Sequence, residues 1–318
     1  MKASVIVPTF NAGADFERLL QGLSGQETNF DYEVLVVDSG STDGTAELAR
    51  RYEASVRQIP RGEFEHGATR NLGVSHCSGK YVAFIVQDAV PLDERWLAAM
   101  VENLEKDELV AGVYGRQIPR PESSALTRVL VNGRPTAALE RREQSVGAPA
   151  LLSPPEQRSL ATFDNVSSCV RRSVWEEIPF ERTGFGEDVR WGKRVVEAGY
   201  KIVYEPRSAV FHSHERGAFY DLRRHYVDQL VLVDLFGLAS TPNLALLLLN
   251  TLRASAHLYL RLLRDEKSVV RAARLVPLAL KHAVFSQTGV YLAVKNRRLA
   301  RVSPRLSHRL DRLLSRAV

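Results

Sequence analysis

The alternation of apolar runs with amphipathic segments at the start of the chain constrains its fold most. Apolar runs cover residues 4–7, 33–37 and 81–86. Such continuous, β-rich runs predict parallel strands that are covered on both faces. Between the first two runs, one apolar stripe follows helical spacing and predicts a buried helix face: Phe16, Leu19, Leu20 and Leu23.

A second helix is predicted after the second strand, reaching Tyr52, with three N-cap candidates: Ser41, Thr42 and Asp43. The βαβ alternation implies an open, doubly wound α/β sheet that is mainly parallel. Its ligand crevice would lie beyond the carboxyl ends of the strands. Polar residues stand at those ends: Thr9, Asp38 and Asp88.

The rest of the chain divides into three stretches. Residues 118–158 are rich in Pro, Ser and Arg, which predicts a long functional loop or flexible lid. Two short strands are predicted over 201–204 and 209–212, after a helix that begins near Glu187. From about Tyr220 the pattern is helical, so we expect an α/β domain over 1–220 and a basic helical region over 221–318.

Composition excludes several classes of protein. With 318 residues, 45% hydrophobic and 25% charged, the chain can bury a sizeable core and is neither disordered nor collagenous. Cys77 and Cys169 form no CxxC motif, so the sequence shows no cysteine zinc site and favours a reducing compartment. The apolar start at residues 3–8 is too short for a secretory signal.

Charge is unevenly distributed along the chain. Residues 216–318 contain 18 Lys/Arg against 6 Asp/Glu. This basic tail is compatible with nucleic-acid binding, with an anionic membrane surface or with a solvated helix face. The longest uncharged run, 236–252, is interrupted by Pro242, Asn243 and Asn250, and it predicts an interfacial or buried helix rather than a membrane span.

Several enzyme signatures are missing. The Gly184-Phe185-Gly186 segment continues to Val189 where a dinucleotide fingerprint needs a third glycine. The segment from Gly73 to Lys80 has the wrong spacing for a P-loop, and the sequence contains neither GxSxG nor HExxH. Hydride transfer, serine hydrolysis and zincin chemistry therefore lack their motifs.

Two motifs at strand ends resemble those of family-two glycosyltransferases with the GT-A fold: VIVPTFN at 5–11 and VVDSGSTDGT at 36–45. The resemblance covers roughly residues 1–220. Two further segments, GEFEHGATRN at 62–71 and FIVQDAVP at 84–91, are similar to bacterial rhamnosyltransferases that use dTDP-L-rhamnose.

The resemblance implies a site for the donor nucleotide. Asp38 would accept a hydrogen bond from the pyrimidine N3–H, or alternatively order the turn at 39–44. Ser39 replaces a second acid found in many relatives. Arg70 would contact the nucleotide, or be an exposed surface arginine, and His66 would line the pocket or order its loop. The residues assigned to the donor nucleotide are Pro8, Thr9, Asn11, Asp38, Ser39, Arg70, Gln87 and Asp88.

The resemblance also implies a divalent cation, Mg²⁺ or Mn²⁺. Asp88 occupies the position of the family's DxD carboxylate, although the motif here reads Gln87-Asp88-Ala89. His212 and His214 would face the same side of a strand and could complete the metal shell, or they could be packing residues.

The acids at 187–188 match the acceptor-site motif of the family. The resemblance makes Asp188 the catalytic base, with Glu187 supporting it and Trp191 stacking on the acceptor sugar. The alternative is that both acids only stabilise the dipole of the helix they open. A single base without a covalent nucleophile implies direct displacement with inversion.

Together these features predict an inverting, metal-assisted transferase moving L-rhamnose from dTDP-L-rhamnose to a lipid-linked glycan of a surface polysaccharide such as O-antigen. The alternatives are a same-fold transferase using a UDP- or GDP-sugar, and a catalytically weak membrane-associated scaffold. The basic tail would hold a cytoplasmic enzyme on the inner face of the membrane, or form a helical homodimer. No motif supports nucleic acid as a partner.

Overall fold

The computed structural model describes residues 1–146, 152–265 and 269–315. Over these residues the strands are β1 Ala3–Thr9, β2 Tyr32–Asp38, β3 Ser55–Gln58, β4 Tyr81–Ile85, β5 Val90–Pro91, β6 Val110–Ile118, β7 Arg142–Gln144, β8 Ser167–Arg171 and β9 Lys201–Phe211. The α-helices are α1 Asp15–Ser24, α2 Thr45–Arg51, α3 His66–Ser75, α4 Trp96–Lys106, α5 Ala125–Asn132, α6 Pro154–Leu160, α7 Arg172–Glu177, α8 Glu187–Glu197, α9 Ala218–Phe236, α10 Leu244–Asp265, α11 Val269–Val302 and α12 Pro304–Leu314.

The strands form one mixed sheet in the order β3-β2-β1-β4-β8-β6-β9-β5, with β7 paired to β9. The first four strands of this order are parallel, as the apolar runs predict. Strand β8 then runs antiparallel to both β4 and β6, whereas β6 and β9 are parallel. The α/β fold with a C-terminal helical region is confirmed, but the sheet is mixed rather than mainly parallel, with parallel pairing within β3-β2-β1-β4 and between β6 and β9.

Both faces of the sheet are buried. Along β1, Val5 and Val7 point into one core cluster and Ile6 into the other, which is the alternation that a doubly covered strand requires. The predicted stripe of α1 lies in the first cluster, with all four residues at most 1% exposed: Phe16, Leu19, Leu20 and Leu23. Trp191 of α8 lies in the second cluster.

The predicted cap of α2 is wrong. Its N-cap is Gly44, whose φ of 85° is in the left-handed region that favours glycine. Asp43 directly precedes this N-cap, and its carboxylate accepts a hydrogen bond from the Thr45 N–H at 3.1 Å. The turn therefore uses an Asx-type bond before a glycine N-cap.

The stretch 118–158 is not a single long loop. It contains α5, the short strand β7 and the start of α6, while residues 147–151 lie outside the described part. Two of its prolines lie at the beginning of a helix: Pro154 and Pro155 occupy the first turn of α6, which begins with a capping box between Ser153 and Glu156. The two strands predicted over 201–212 are one strand, β9, whose register shifts opposite Gly115 and Arg116.

The chain packs as two compact units. The first comprises Met1–Pro121 and Val131–Ser213, and the second comprises Glu122–Leu130 and His214–Val318. Within the second unit, Val129 packs with Leu258, Leu262 and Ala279 of the helical region. Among the described residues, none of the helices has the length and apolar character needed to cross a bilayer. The division of function between 1–220 and 221–318 stays a prediction.

Candidate active site

The carboxyl ends of β1 and β2 meet at the first group of predicted site residues. Thr9 pairs with Asp38 across the two strands, and the Thr9 hydroxyl donates to Asp38 Oδ1 at 2.9 Å. Asp38 is fully buried, and its second oxygen accepts the Ser41 N–H at 3.0 Å. The Ser41 hydroxyl also donates to this carboxylate. Asp38 therefore orders the turn, as the alternative interpretation holds, and its contact with a nucleotide stays a prediction.

The loops after β1, β2 and β4 are tied together by side-chain amides. Asn11 accepts the Thr42 N–H at 2.9 Å, and Gln87 accepts the Phe10 N–H at 2.7 Å while donating to the Phe10 carbonyl at 3.2 Å. Ser39 Oγ is buried without a hydrogen-bond partner. The side chains of Asn11 and Gln87 thus fix the backbone at Thr42 and Phe10, in the loops that follow the strand ends near Pro8.

Arg70 forms a buried ion pair rather than lying on the surface. Its Nη1 is 2.9 Å from Glu187 Oε1 and 3.1 Å from the His66 carbonyl, and its side chain is 4% exposed. Asn165 donates to the same Glu187 oxygen at 3.2 Å. The alternative of an exposed surface arginine is therefore wrong. The pair connects α3 to the first turn of α8 inside the first unit.

Two glycines allow this contact. A Cβ at Gly67 would come within 2.0 Å of the Glu181 carbonyl oxygen, so only glycine lets α3 approach this closely. Gly186 is the N-cap of α8 with φ 75°, in the left-handed region. These glycines turn Glu187 towards Arg70 and leave Asp188 half-buried beside it.

Glu187 and Asp188 differ in their pKa values although they are neighbours. Burial opposes ionisation of Glu187, but Arg70, His66 and Asn165 outweigh it and lower its pKa. Burial raises the pKa of Asp188 to about 8, and the negative charges of Glu187 and Asp164 add to this rise. The pKa of Glu187 is thus lowered and that of Asp188 raised, which is the separation expected between a supporting acid and a general base.

Asp88 lies near one of the predicted histidine ligands. Within the first unit, Asp88 Oδ1 is 3.7 Å from His212 Nε2. His214 is the first residue of the second unit, and its role as a metal ligand stays a prediction. A carboxylate beside an imidazole fits a first-row transition ion such as Mn²⁺ better than Mg²⁺, which favours an all-oxygen shell.

Arg120 is a site residue that sequence analysis missed. Its guanidinium donates to the Asp88 carbonyl and, at 2.6 Å, to the Ser213 carbonyl, and it lies 2.9 Å from Asp15 Oδ2. It therefore fixes the two segments that carry Asp88 and His212. A charged residue between Pro119 and Pro121, directly after a strand, was the available signal.

Asp164 and Gln117 were also missed. Asp164 accepts a hydrogen bond from Gln117 at 2.6 Å and adds to the raised pKa of Asp188. Gln117 in turn contacts His212. Polar residues at the end of one strand and just before the next, at Gln117 and at Asp164 and Asn165, gave only a weak signal in sequence.

Trp191 does not present its ring to a sugar. It is fully buried, its indole N–H donates to the Ile178 carbonyl at 2.8 Å, and its ring lies against Phe163 and Phe180. The predicted stacking on an acceptor is therefore corrected: Trp191 packs on the core-facing side of α8, three residues after Asp188. Its position in the motif reflects helical periodicity.

Comparison with known proteins gives the family. Residues 4–151 match the Glycosyl transferase family 2 profile. The O-antigen chain rhamnosyltransferase RfbN of Salmonella typhimurium is 30% identical over 71% of this chain and 71% of its own length. The corresponding WbaN of Salmonella anatum is 31% identical over 70% of each chain. The chain therefore belongs to glycosyltransferase family 2, as its motifs predict.

Solved structures agree with the GT-A fold. The mannosyltransferase PcManGT from Pyrobaculum calidifontis, in complex with GDP-Man and Mn²⁺, aligns over 97% of this chain and 78% of its own, with a TM-score of 0.53 at 19% identity. Staphylococcus aureus TarS 1–349 in complex with UDP-GlcNAc aligns over 94% and 92%, with a TM-score of 0.53 at 16% identity. At such identities these likenesses concern the fold alone.

Proposed function

We propose that this glycosyltransferase moves L-rhamnose from dTDP-L-rhamnose to a hydroxyl of a lipid-linked glycan during the synthesis of a cell-surface polysaccharide. The observation that carries this donor and acceptor is the similarity to two O-antigen chain rhamnosyltransferases over about 70% of each chain. The strand ends at Thr9, Asp38 and Asp88 support binding of a nucleotide sugar.

The chemistry follows from Asp188. Its ionised carboxylate takes the proton of the acceptor hydroxyl, and the acceptor oxygen forms a bond to the anomeric carbon of the donor. The bond from that carbon to the diphosphate breaks with its electron pair on the departing nucleoside diphosphate, so the configuration inverts. A pKa near 8 matches a base to work near neutral pH.

Glu187 and the metal residues have supporting roles in this proposal. Glu187, held ionised by Arg70, keeps the site negative beside the base. Asp88, His212 and His214 would hold a Mn²⁺ ion, whose chemistry is to offset the charge that develops on the diphosphate. Mg²⁺ would offset the same charge, with oxygen ligands in place of imidazole nitrogens.

Product analysis tests this proposal. The full chain is incubated with Mn²⁺ and polyprenyl-linked glycans from O-antigen-producing bacteria, and with dTDP-L-rhamnose, UDP-glucose or GDP-mannose in turn. We expect a lipid-linked product heavier by one deoxyhexose with dTDP-L-rhamnose alone. Transfer only from UDP-glucose or GDP-mannose would contradict dTDP-L-rhamnose as the donor. No transfer from any of the three donors would favour the scaffold alternative.

We further propose that the helical region binds the cytoplasmic face of the membrane. Four leucines of α10, spaced by four or eight residues, are 56–68% exposed: Leu244, Leu248, Leu252 and Leu260. Arg253 and Arg264 are exposed on the same helix. An apolar stripe flanked by arginine is the composition of a helix that lies on an anionic bilayer.

Vesicle binding tests this surface. We expect the full chain to bind phosphatidylglycerol vesicles more strongly than phosphatidylcholine vesicles, and Leu248→Ser/Leu252→Ser to lose most of that binding. The control is Leu139→Ser, at a site that is 73% exposed in the first unit. Equal vesicle binding by the double variant and by Leu139→Ser would contradict the proposal. If wild type is a dimer and the double variant is a monomer, the alternative of homodimerisation would be favoured.

A further inference from the structure

Gln117 is a buried polar residue that the proposed mechanism leaves without a role. It stands near the end of β6 and is 2% exposed. Its side-chain amide lies between two groups of the candidate site. Nε2 donates to Asp164 Oδ2 at 2.6 Å, and Oε1 is 3.1 Å from His212 Nδ1.

The backbone fixes this arrangement. Ile118 and Phe211 are paired in the β6–β9 ladder, and the His212 N–H donates to the Ile118 carbonyl at 2.9 Å. Asp164 is held at its other oxygen, which accepts the Val166 N–H at 2.9 Å. The amide of Gln117 therefore has a fixed acceptor on one side and a fixed imidazole on the other.

The donor and acceptor identities determine the tautomer of His212. An ionised carboxylate only accepts, so the amide NH₂ of Gln117 faces Asp164 and its oxygen faces His212. An amide oxygen also only accepts, so the His212 Nδ1 must carry the proton. In the neutral ring Nε2 then keeps its lone pair, and Nε2 is the atom that lies 3.7 Å from Asp88 Oδ1.

We propose that Gln117 is a positioning residue, which holds His212 as the Nδ1–H tautomer and so presents Nε2 to a divalent cation shared with Asp88. The inference rests on the proposed metal role of these residues but not on the sugar that is transferred. Hydrogen bonds of this kind to ligand histidines set both the orientation and the basicity of the ring.

Gln117→Leu tests the inference through metal affinity. The change keeps the volume but removes the acceptor for Nδ1–H, and we expect the affinity for Mn²⁺, measured without donor by the paramagnetic resonance of free Mn²⁺, to fall about 10–100-fold. The double variant Gln117→Glu/Asp164→Asn exchanges donor and acceptor between these two residues, keeps an oxygen facing Nδ1, and should restore most of that affinity.

Gln144→Leu is the matched control. Gln144 is also a buried glutamine of the first unit, whose amide donates to the Leu160 and Thr162 carbonyls at 2.8 and 2.9 Å and accepts from Tyr114. Its replacement should lower stability as much as Gln117→Leu while leaving Mn²⁺ affinity unchanged. An equal loss of affinity in both variants, or no loss in folded Gln117→Leu, would overturn the proposal.

The tautomer can be read directly in the unaltered protein. In metal-free protein with ¹⁵N-labelled histidine, we expect the His212 ring, assigned with His212→Gln, to show a protonated Nδ1 and an unprotonated Nε2. A ring protonated at Nε2 alone would refute the role of Gln117 even if sugar transfer is observed. A protonated Nδ1 with Gln117-dependent metal affinity would support it even if the proposed donor fails.

Discussion

Arg70 Nη1 lies 2.9 Å from Glu187 Oε1, and both side chains are almost completely buried. This pair joins α3 to the first turn of α8, where the candidate base Asp188 stands. A buried charge is tolerated when its partner is in place, and it becomes costly when that partner is removed. The Arg70–Glu187 pair is therefore both a structural contact and the reason that Glu187 stays ionised.

Removing Arg70 should destabilise the protein strongly. Arg70→Ala leaves Glu187 buried without its counter-charge, and we expect the free energy of unfolding to fall by about 3–5 kcal/mol in chemical denaturation. The control is Arg18→Ala, whose side chain is 69% exposed and 3.4 Å from Asp15. That change should cost less than about 1 kcal/mol, and equal costs for the two variants would show that the Arg70 pair is not buried in solution.

Trp191→Leu should affect stability rather than acceptor binding. The change removes a fully buried ring and its bond to the Ile178 carbonyl, so we expect a loss of about 3 kcal/mol in the free energy of unfolding. Trp96→Leu is the control, since Trp96 is equally buried and donates to Ser167 at 2.9 Å. A KM for acceptor that rises in Trp191→Leu but not in Trp96→Leu would restore the stacking role.

Asp188→Asn should abolish most of the transfer. The amide cannot take a proton from the acceptor, and the loss of a general base costs about 10²–10⁴-fold in rate. Glu176→Gln is the control, because Glu176 is an exposed acid on α7. Initial rates with saturating donor and acceptor measure the effect. A rate for Asp188→Asn within about threefold of wild type would remove Asp188 from the mechanism.

The rate should rise with pH up to about 8, because only the ionised Asp188 acts as base and its pKa is raised to about 8. Burial is the largest cause of the raised pKa of Asp188; the anions Glu187 and Asp164 raise the pKa further, and the Val189 N–H and the Arg70 cation lower it. Profiles of kcat/KM against pH measure the rise. A profile that is flat through this range, or that falls, would contradict the assignment.

The free energy of unfolding should fall as pH rises, whereas the transfer rate should increase. The folded protein holds a proton on Asp188 to a higher pH than the unfolded chain does. The stabilising contribution is therefore complete below the ordinary pKa of aspartate and is lost as pH rises through about 8. In metal-free protein, Asp188→Asn should gain stability over wild type between about pH 5 and about pH 9. A difference that does not change with pH would show that the pKa of Asp188 is not raised in the folded protein.

Sequence patterns predicted the parts of the site that lie within one strand and its following turn. Thr9, Asp38 and Asp88 were expected at strand ends because apolar runs mark where parallel strands finish, and Thr9 and Asp38 are cross-strand partners. The family motifs supplied the acids of α8. These features depend on short segments whose residues are close in the chain.

Contacts between distant segments were not predictable from one sequence. Arg70 and Glu187 are 117 residues apart, and Gln117 and His212 are 95 apart, so no local pattern connects them. Trp191 shows a different limit, because a tryptophan three residues after an acid has the same spacing whether it faces a ligand or the core. Only the packing of α8 on the sheet decides whether the Trp191 ring faces a ligand or the core.

The most direct test of the account is a calorimetric titration of the full chain and of Asp88→Asn with dTDP, UDP and GDP, each with Mn²⁺ and with a chelator. The account predicts that wild type binds dTDP most tightly, that the chelator removes this binding, and that Asp88→Asn loses it. Metal-independent binding that is equal in wild type and Asp88→Asn, or no binding of any of the three nucleotides, would contradict a metal-assisted transferase centred on Asp88.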